Sequence, residues 1–218
     1  RALAAEQRVI PAGQEIYAEG EQAGDFYVVL EGWAILYQIL EDGRRQILDF
    51  ALPGSILGLV ASAETEMKHT AESLTELRVA VVPRQRLGEL IAREPKVAMR
   101  LVETMAGVLE SAYESLTDAG RRTAREAVAH LLLRLARRVI ASRPQMATAV
   151  LELPLTLEHI GDALGLTAVH VCRTLRGLRE DGIVTFCKGN LRIESAARLA
   201  TAAGAITDDV PVSGQRAA

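Results

Sequence analysis

The sequence predicts an α+β chain. An N-terminal β-roll of the double-stranded β-helix or jelly-roll type leads through one long helix into a C-terminal winged helix-turn-helix. Three observations carry this prediction. Between Val9 and Val82, short apolar runs alternate with glycines and acidic pairs. From Pro95 onward, the apolar residues recur at steps of three and four. From Thr156 to Val184, two short amphipathic segments meet at Gly165, and a hairpin pattern follows.

Composition sets the outer limits. A chain of 218 residues holds one large domain or two ordinary ones, and 49% apolar with 24% charged residues is a globular balance with ample core. No apolar run approaches the length of a membrane span, nothing resembles a signal peptide, and no membrane partner is expected. The chain opens at Arg1 rather than Met, which implies a preceding segment. Cys172 and Cys187 have neither metal-ligand nor disulfide-framework spacing, which suits a reducing, cytoplasmic compartment.

The net charge of −3 conceals an asymmetry. Residues 1–120 hold 11 Lys/Arg against 19 Asp/Glu, whereas residues 121–194 hold 12 against 7. Two modules are expected, and only the second favours a polyanion. The expected boundaries are 1–94 for the roll, 95–120 for the long helix, 121–195 for the winged helix-turn-helix, and 196–218 for a C-terminal helix and flexible tail.

In the roll, "FYVVLEG", "WAILYQIL", "RQILDFALPG" and "ELRVAVVP" each read as a strand. Glu41-Asp42-Gly43 marks a hairpin, because glycine tolerates the positive φ of a tight turn. Pro83 ends the last strand, and "RQRLGELIAREP" reads as a short helix. In the long helix that follows, Ala98, Leu101, Met105, Val108, Ala112 and Ser115 form a heptad seam. Val102, Leu109 and Leu116 form a second stripe beside it. Two stripes need two partners: the roll, and a second copy of the chain meeting Leu101, Met105, Val108 and Ala112. "TDAG" then breaks the pattern, and Asp118 is the expected N-cap of a helix over Ala119–Ser142.

The stretch from Thr156 explains itself by spacing. Thr156 caps a helix whose inner face is Ile160 and Leu164, and Gly161 is small where a second helix must cross closely. Gly165 takes the left-handed conformation that ends it, and Thr167 caps the next helix. At about 100° per residue, Val171, Leu175 and Leu178 share the buried face of that second helix, while Val169, Arg173, Arg176 and Glu180 point outward. His170 and Cys172 flank the outer face. Such a face suits the major groove of double-stranded DNA, where an arginine donates two bonds to guanine. A hairpin around Lys188-Gly189-Asn190 follows, with Lys188 and Arg192 within reach of phosphates. Cys172 lies near the helix N-terminus beside Arg173, which favours the thiolate. Its oxidation to an acid would set a negative charge against DNA.

Taken together, "EGEQAGDFYVVLEGWAILY", the long helix and "LTLEHIGDALGLTAVHVCRTLRGLREDGIV" resemble the Crp/Fnr superfamily of bacterial transcription regulators, from about Val9 to Glu194. The resemblance implies a sequence-specific homodimer on inverted-repeat DNA, with RNA polymerase as a further partner. It also assigns guanine reading to Arg173. "KHTAES" is similar to the FixK-like branch.

Several departures from the family pattern narrow this reading. The cAMP-responsive branch has a Gly-Glu pair and a later Arg-Ser pair for the ribose and phosphate. Here Gly58 is followed by Leu59, and the later pair is His69-Thr70, so cAMP is not expected. The iron–sulfur branch has a cysteine where this chain has Ala80, which argues against that cluster. A haem near His69 stays open, and no metal site is expected. Members that read a TTGAT-like half-site carry Glu and Ser where this chain has Val169 and Cys172.

No enzyme constellation emerges. His69, His130, His159 and His170 lack metal spacing, "GSILG" is not a hydrolase elbow, and no phosphate-binding Gly-Lys-Ser/Thr occurs. The rival to a DNA-binding regulator is a small-molecule or haem-binding sensor module whose helix-turn-helix is vestigial.

Overall fold

The computed structural model describes residues 6–59, 65–142 and 150–205. It forms two compact units, Arg1–Glu114 and Ser115–Ala218.

The first unit is the expected roll. Its eight strands are β1 (Glu6–Ile10), β2 (Glu15–Tyr17), β3 (Asp25–Glu31), β4 (Ala34–Ile39), β5 (Arg45–Ala51), β6 (Ile56–Leu57), β7 (Thr70–Ser73) and β8 (Leu77–Pro83). They make two antiparallel sheets, ordered β1-β8-β3-β6 and β2-β7-β4-β5. Alternation places Leu77, Val79 and Val81 inward, with Val29, Ala34, Leu57 and Ala71 in the same core. The Glu41-Asp42-Gly43 turn forms as expected: Gly43 N–H donates to Leu40 O at 2.8 Å, and the Asp42 carboxylate accepts from Arg44 N–H at 3.0 Å. A 3₁₀ turn at Arg84–Arg86 and the helix α1 (Leu87–Arg93) close the roll.

Strand β7 was illegible because it is polar. "TAES" is buried by hydrogen bonding: Ser73 is fully buried, accepts from Gln14 N–H at 3.1 Å and donates to Pro11 O at 2.6 Å.

Helix α2 runs over Lys96–Gly120, and helix α3 over Ala124–Ser142. This corrects one expectation. Asp118 does not cap α3: α2 runs through it to Gly120, the last residue of "TDAG", and α3 begins at Ala124 rather than Ala119. Asp118 is buried, and its carboxylate takes an ion pair from Arg122 and a bond from His130 Nδ1 at 3.0 Å. A carboxylate satisfied from two sides has no need of the helix terminus. The reciprocal bonds before α3 belong instead to Thr123 and Glu126: Thr123 N–H donates to Glu126 Oε2 at 2.8 Å, and Glu126 N–H to Thr123 Oγ1 at 3.4 Å.

In the second unit, α3 is the central helix, with Ala127 to Leu133, Leu135 and Ala136 all buried. Against it lie α4 (Leu157–Leu164), α5 (Ala168–Glu180) and α6 (Ala196–Ala202). The wing strands β10 (Val184–Cys187) and β11 (Asn190–Ile193) are joined by a third, β9 (Val150–Glu152), in the order β10-β11-β9. Sequence reading missed β9, a three-residue strand with one buried side chain, Leu151. Residues 206–218 of the expected tail lie outside the described residues.

Breaking a buried ion pair from one side strands its partners at about 3–5 kcal/mol. We expect Asp118→Asn to destabilise the chain on that scale, measured by urea unfolding. A loss below about 1 kcal/mol would show the cluster to be water-compensated.

Candidate nucleic-acid interface

Helix α4 begins with a reciprocal cap. Thr156 Oγ1 accepts from His159 N–H, and His159 Nδ1 accepts from Thr156 N–H, each at 3.2 Å. Sequence reading identified Thr156 but not His159, because the partner in such a box is usually Glu or Gln. At the other end, Gly165 sits at φ 66°, in the left-handed region. Gly161 is where the two helices meet. Its carbonyl accepts from Gly165 and Leu166 N–H groups, and a Cβ at this position would lie 2.4 Å from Leu166 O. Any side chain at 161 would drive the turn apart.

Helix α5 starts at Thr167, whose Oγ1 accepts from His170 N–H at 3.2 Å. Val171, Leu175 and Leu178 are buried, as the angular reading requires. Val169, His170, Cys172, Arg173 and Arg176 are exposed. The arginines are not equivalent. Arg176 is paired with Glu180 at 3.0 Å, whereas Arg173 has no ion pair or hydrogen bond among the described residues.

The wing tip is a two-residue loop. Cys187 pairs with Asn190 across the hairpin, and Lys188 and Gly189 both have positive φ, at 48° and 76°. Lys188 is the one non-glycine residue at positive φ among the described residues. The loop is also tethered, since Leu153 N–H donates to Gly189 O at 2.7 Å. Lys188 and Arg192 are both exposed. A cleft of about 750 Å³ opens between the wing, the start of α4 and α5, with Cys172, Arg176, Cys187 and Lys188 on its walls. Both cysteines are free and exposed. Sequence reading did not anticipate that the two thiols share one cleft.

The cassette residues of the roll lie elsewhere. The buried Tyr17 hydroxyl accepts from Gly58 N–H at 3.3 Å and stands 2.9 Å from His69 Nε2. Burial pushes the Tyr17 pKa up to about 12 and pulls that of His69 down, so a neutral phenol and a neutral imidazole share this hydrogen bond. Thr70 is buried and accepts from Glu19 N–H at 3.1 Å, and Leu59 is half-buried. His69 Nε2, the atom a haem iron would take, lies in a hydrogen bond with the buried Tyr17 hydroxyl, which does not fit a haem at this position. Among the described residues, no group of three or more His, Cys, Asp or Glu could hold a metal ion, and no helix is long and apolar enough to cross a membrane.

A capped helix pair with a free arginine on its second helix, a basic wing and a β-roll in the same chain define a DNA-binding transcription regulator with a sensor-like domain. Comparison with known proteins agrees. Residues 7–94 match the cyclic nucleotide-binding domain and residues 126–202 the Crp-like helix-turn-helix domain. The chain is 33% identical to the nitrogen fixation regulation protein FixK of Bradyrhizobium diazoefficiens, across 89% of this chain and 80% of that one. It is 32% identical to the transcriptional activator protein FnrL of Cereibacter sphaeroides, across 92% and 82%. The structure of FixK2 from Bradyrhizobium japonicum superposes with a TM-score of 0.82 at 34% identity, covering 91% of this chain and 97% of that one. The chain belongs to the Crp/Fnr family of transcription regulators.

Lys188 holds a conformation that costs a side chain about 1–2 kcal/mol and glycine far less. Lys188→Gly should therefore raise unfolding stability by about 0.5–1 kcal/mol and lower DNA affinity for all sequences alike. Thermal unfolding and binding to unrelated duplexes check the two halves.

Proposed function

We propose that the chain acts as a homodimer on inverted-repeat duplex DNA, reading each half-site with α5 while the roll takes no cyclic nucleotide. The observation that carries this reading is Arg173. It is exposed and uncompensated on a helix capped by Thr167 and backed by three buried aliphatics. Bidentate donation to guanine O6 and N7 is the contact such a side chain makes best. Lys188 and Arg192 on the wing, with Arg176 and His170 beside Arg173, supply phosphate contacts and register. RNA polymerase is the protein partner that the family implies at a promoter.

The dimer reading rests on α2. Met99, Val102, Met105, Val108, Leu109, Tyr113 and Leu116 are all exposed on it. Leu101, by contrast, is half-buried within the chain's own first unit. The exposed ridge therefore draws on both stripes seen in the sequence. A second copy of the same helix would cover it in a coiled-coil manner. Twofold symmetry would then set the two α5 helices about 34 Å apart, one turn of DNA.

The independence from cAMP is supported by the roll. Leu59 and His69 stand where an acid and a cation would hold ribose and phosphate. The Gly58 N–H and the His69 ring are committed to Tyr17.

Three measurements test these statements. Met105→Glu with Val108→Glu should sediment as a monomer and lose inverted-repeat binding; a double variant that stays dimeric sinks the ridge assignment. Arg173→Ala should lose about 1–3 kcal/mol on the selected site and discriminate poorly at one base pair, whereas Lys188→Ala weakens cognate and scrambled duplexes together. Equal losses for Arg173→Ala on both duplexes would reduce it to a phosphate contact. Calorimetric titration should find no tight cAMP site, and micromolar binding in the roll would overturn that part of the reading.

A further inference from the structure

Val169 is 63% exposed on a helix whose other large aliphatic side chains, Val171, Leu175 and Leu178, are buried. A lone exposed valine needs no explanation in itself. Its position supplies one. It lies in the first turn of α5, four residues before Arg173 and so on the same face, one helical turn away. It is also stiff: in a helix, a β-branched side chain has one strongly preferred rotamer, so its two methyl groups are held in place without further cost in entropy.

We infer that Val169 reads the C5 methyl of a thymine beside the guanine contacted by Arg173. The inference deepens the proposed function and rests on it. An isopropyl group neither donates nor accepts a hydrogen bond. It is blind to the amino and carbonyl edges by which guanine, adenine and cytosine are told apart in the major groove. Thymine is the base that offers an apolar group there. Four residues of helix rise about 6 Å, and successive base pairs rise about 3.4 Å. The thymine therefore falls within about two base-pair steps of the guanine, on either strand. An acidic residue at this position would instead accept from a cytosine or adenine amino group. A valine there changes the kind of base preferred and leaves the docking of the helix as it is.

The experiment uses the full chain. A half-site is first selected from a random duplex pool, and Arg173→Ala locates the guanine. Each thymine within two steps of it is then replaced by deoxyuridine, which removes the methyl and leaves every hydrogen-bonding atom. One such replacement should weaken wild-type binding about fourfold, the worth of one buried methyl-sized group. The same replacement should cost Val169→Ala clearly less than wild type, because the shorter side chain already binds the thymine site more weakly. Because the side chain is exposed, the variant should fold as wild type does, checked by its melting curve. Three results would overturn the inference: a consensus without thymine in that window, tolerance of uracil at every position, or an equal uracil penalty in wild type and Val169→Ala. Failure of the chain to select any sequence would overturn the parent reading, and this one with it. Selection of a site with an Arg173-dependent guanine but no coupling to Val169 leaves the parent reading standing and removes only this one.

Discussion

The presentation of α5 depends on one backbone contact. Gly161 O accepts two N–H groups from the turn, and Leu166 O lies only 2.4 Å from where a Cβ of residue 161 would be. No side chain of any size fits between them. The crossing of α4 and α5 is therefore set by main-chain atoms, whose positions vary little. The side chains that follow inherit that precision. Ile160 and Leu164 pack inward from α4, Val171, Leu175 and Leu178 from α5, and the outward residues of α5 are left at defined angles. A helix positioned by side-chain packing alone would tolerate rotation. One positioned by a carbonyl against an α-carbon does not, because overpacking here moves backbone.

How much of this could be read from residues varies with the physics of each element. The glycine turn, the buried face of α5 and the wing hairpin follow from local rules, and they stood clear in the sequence. Asp118 did not. Aspartate before a helical run is ordinarily a cap, and only the three-dimensional proximity of Arg122 and His130 turns it into a buried ion-pair centre. Strand β7 was hidden because Ser73 is buried through hydrogen bonds to residues some sixty positions away, which no local period reports. Among site residues, the pairing of Arg176 with Glu180 was implicit in their spacing of four, and with it the distinction from Arg173. The left-handed Lys188 was not foreseeable, since lysine is not a residue that rules of turn chemistry place there.

The two units divide their polar chemistry differently. In the roll, polar groups at the cassette positions face one another: phenol, imidazole and backbone N–H close a small internal network. In the second unit, cations at the matching functional surface face outward, and two of them, Arg173 and Lys188, have no internal partner among the described residues. Groups that satisfy each other stabilise a fold. Groups left unsatisfied at a surface are available to another molecule.

On the proposed reading, an aliphatic group at position 169 judges the presence of a carbon atom, and that atom is not confined to thymine. Cytosine methylated at C5 carries its methyl at the same ring carbon, pointing into the same groove. To an isopropyl side chain, a methylated cytosine is closer to thymine than to the base from which it was made. An apolar reader at this position would thus open recognition to enzymatic marking of the DNA. A pair disfavoured when unmodified would gain the missing contact when methylated, with no change in the encoded sequence.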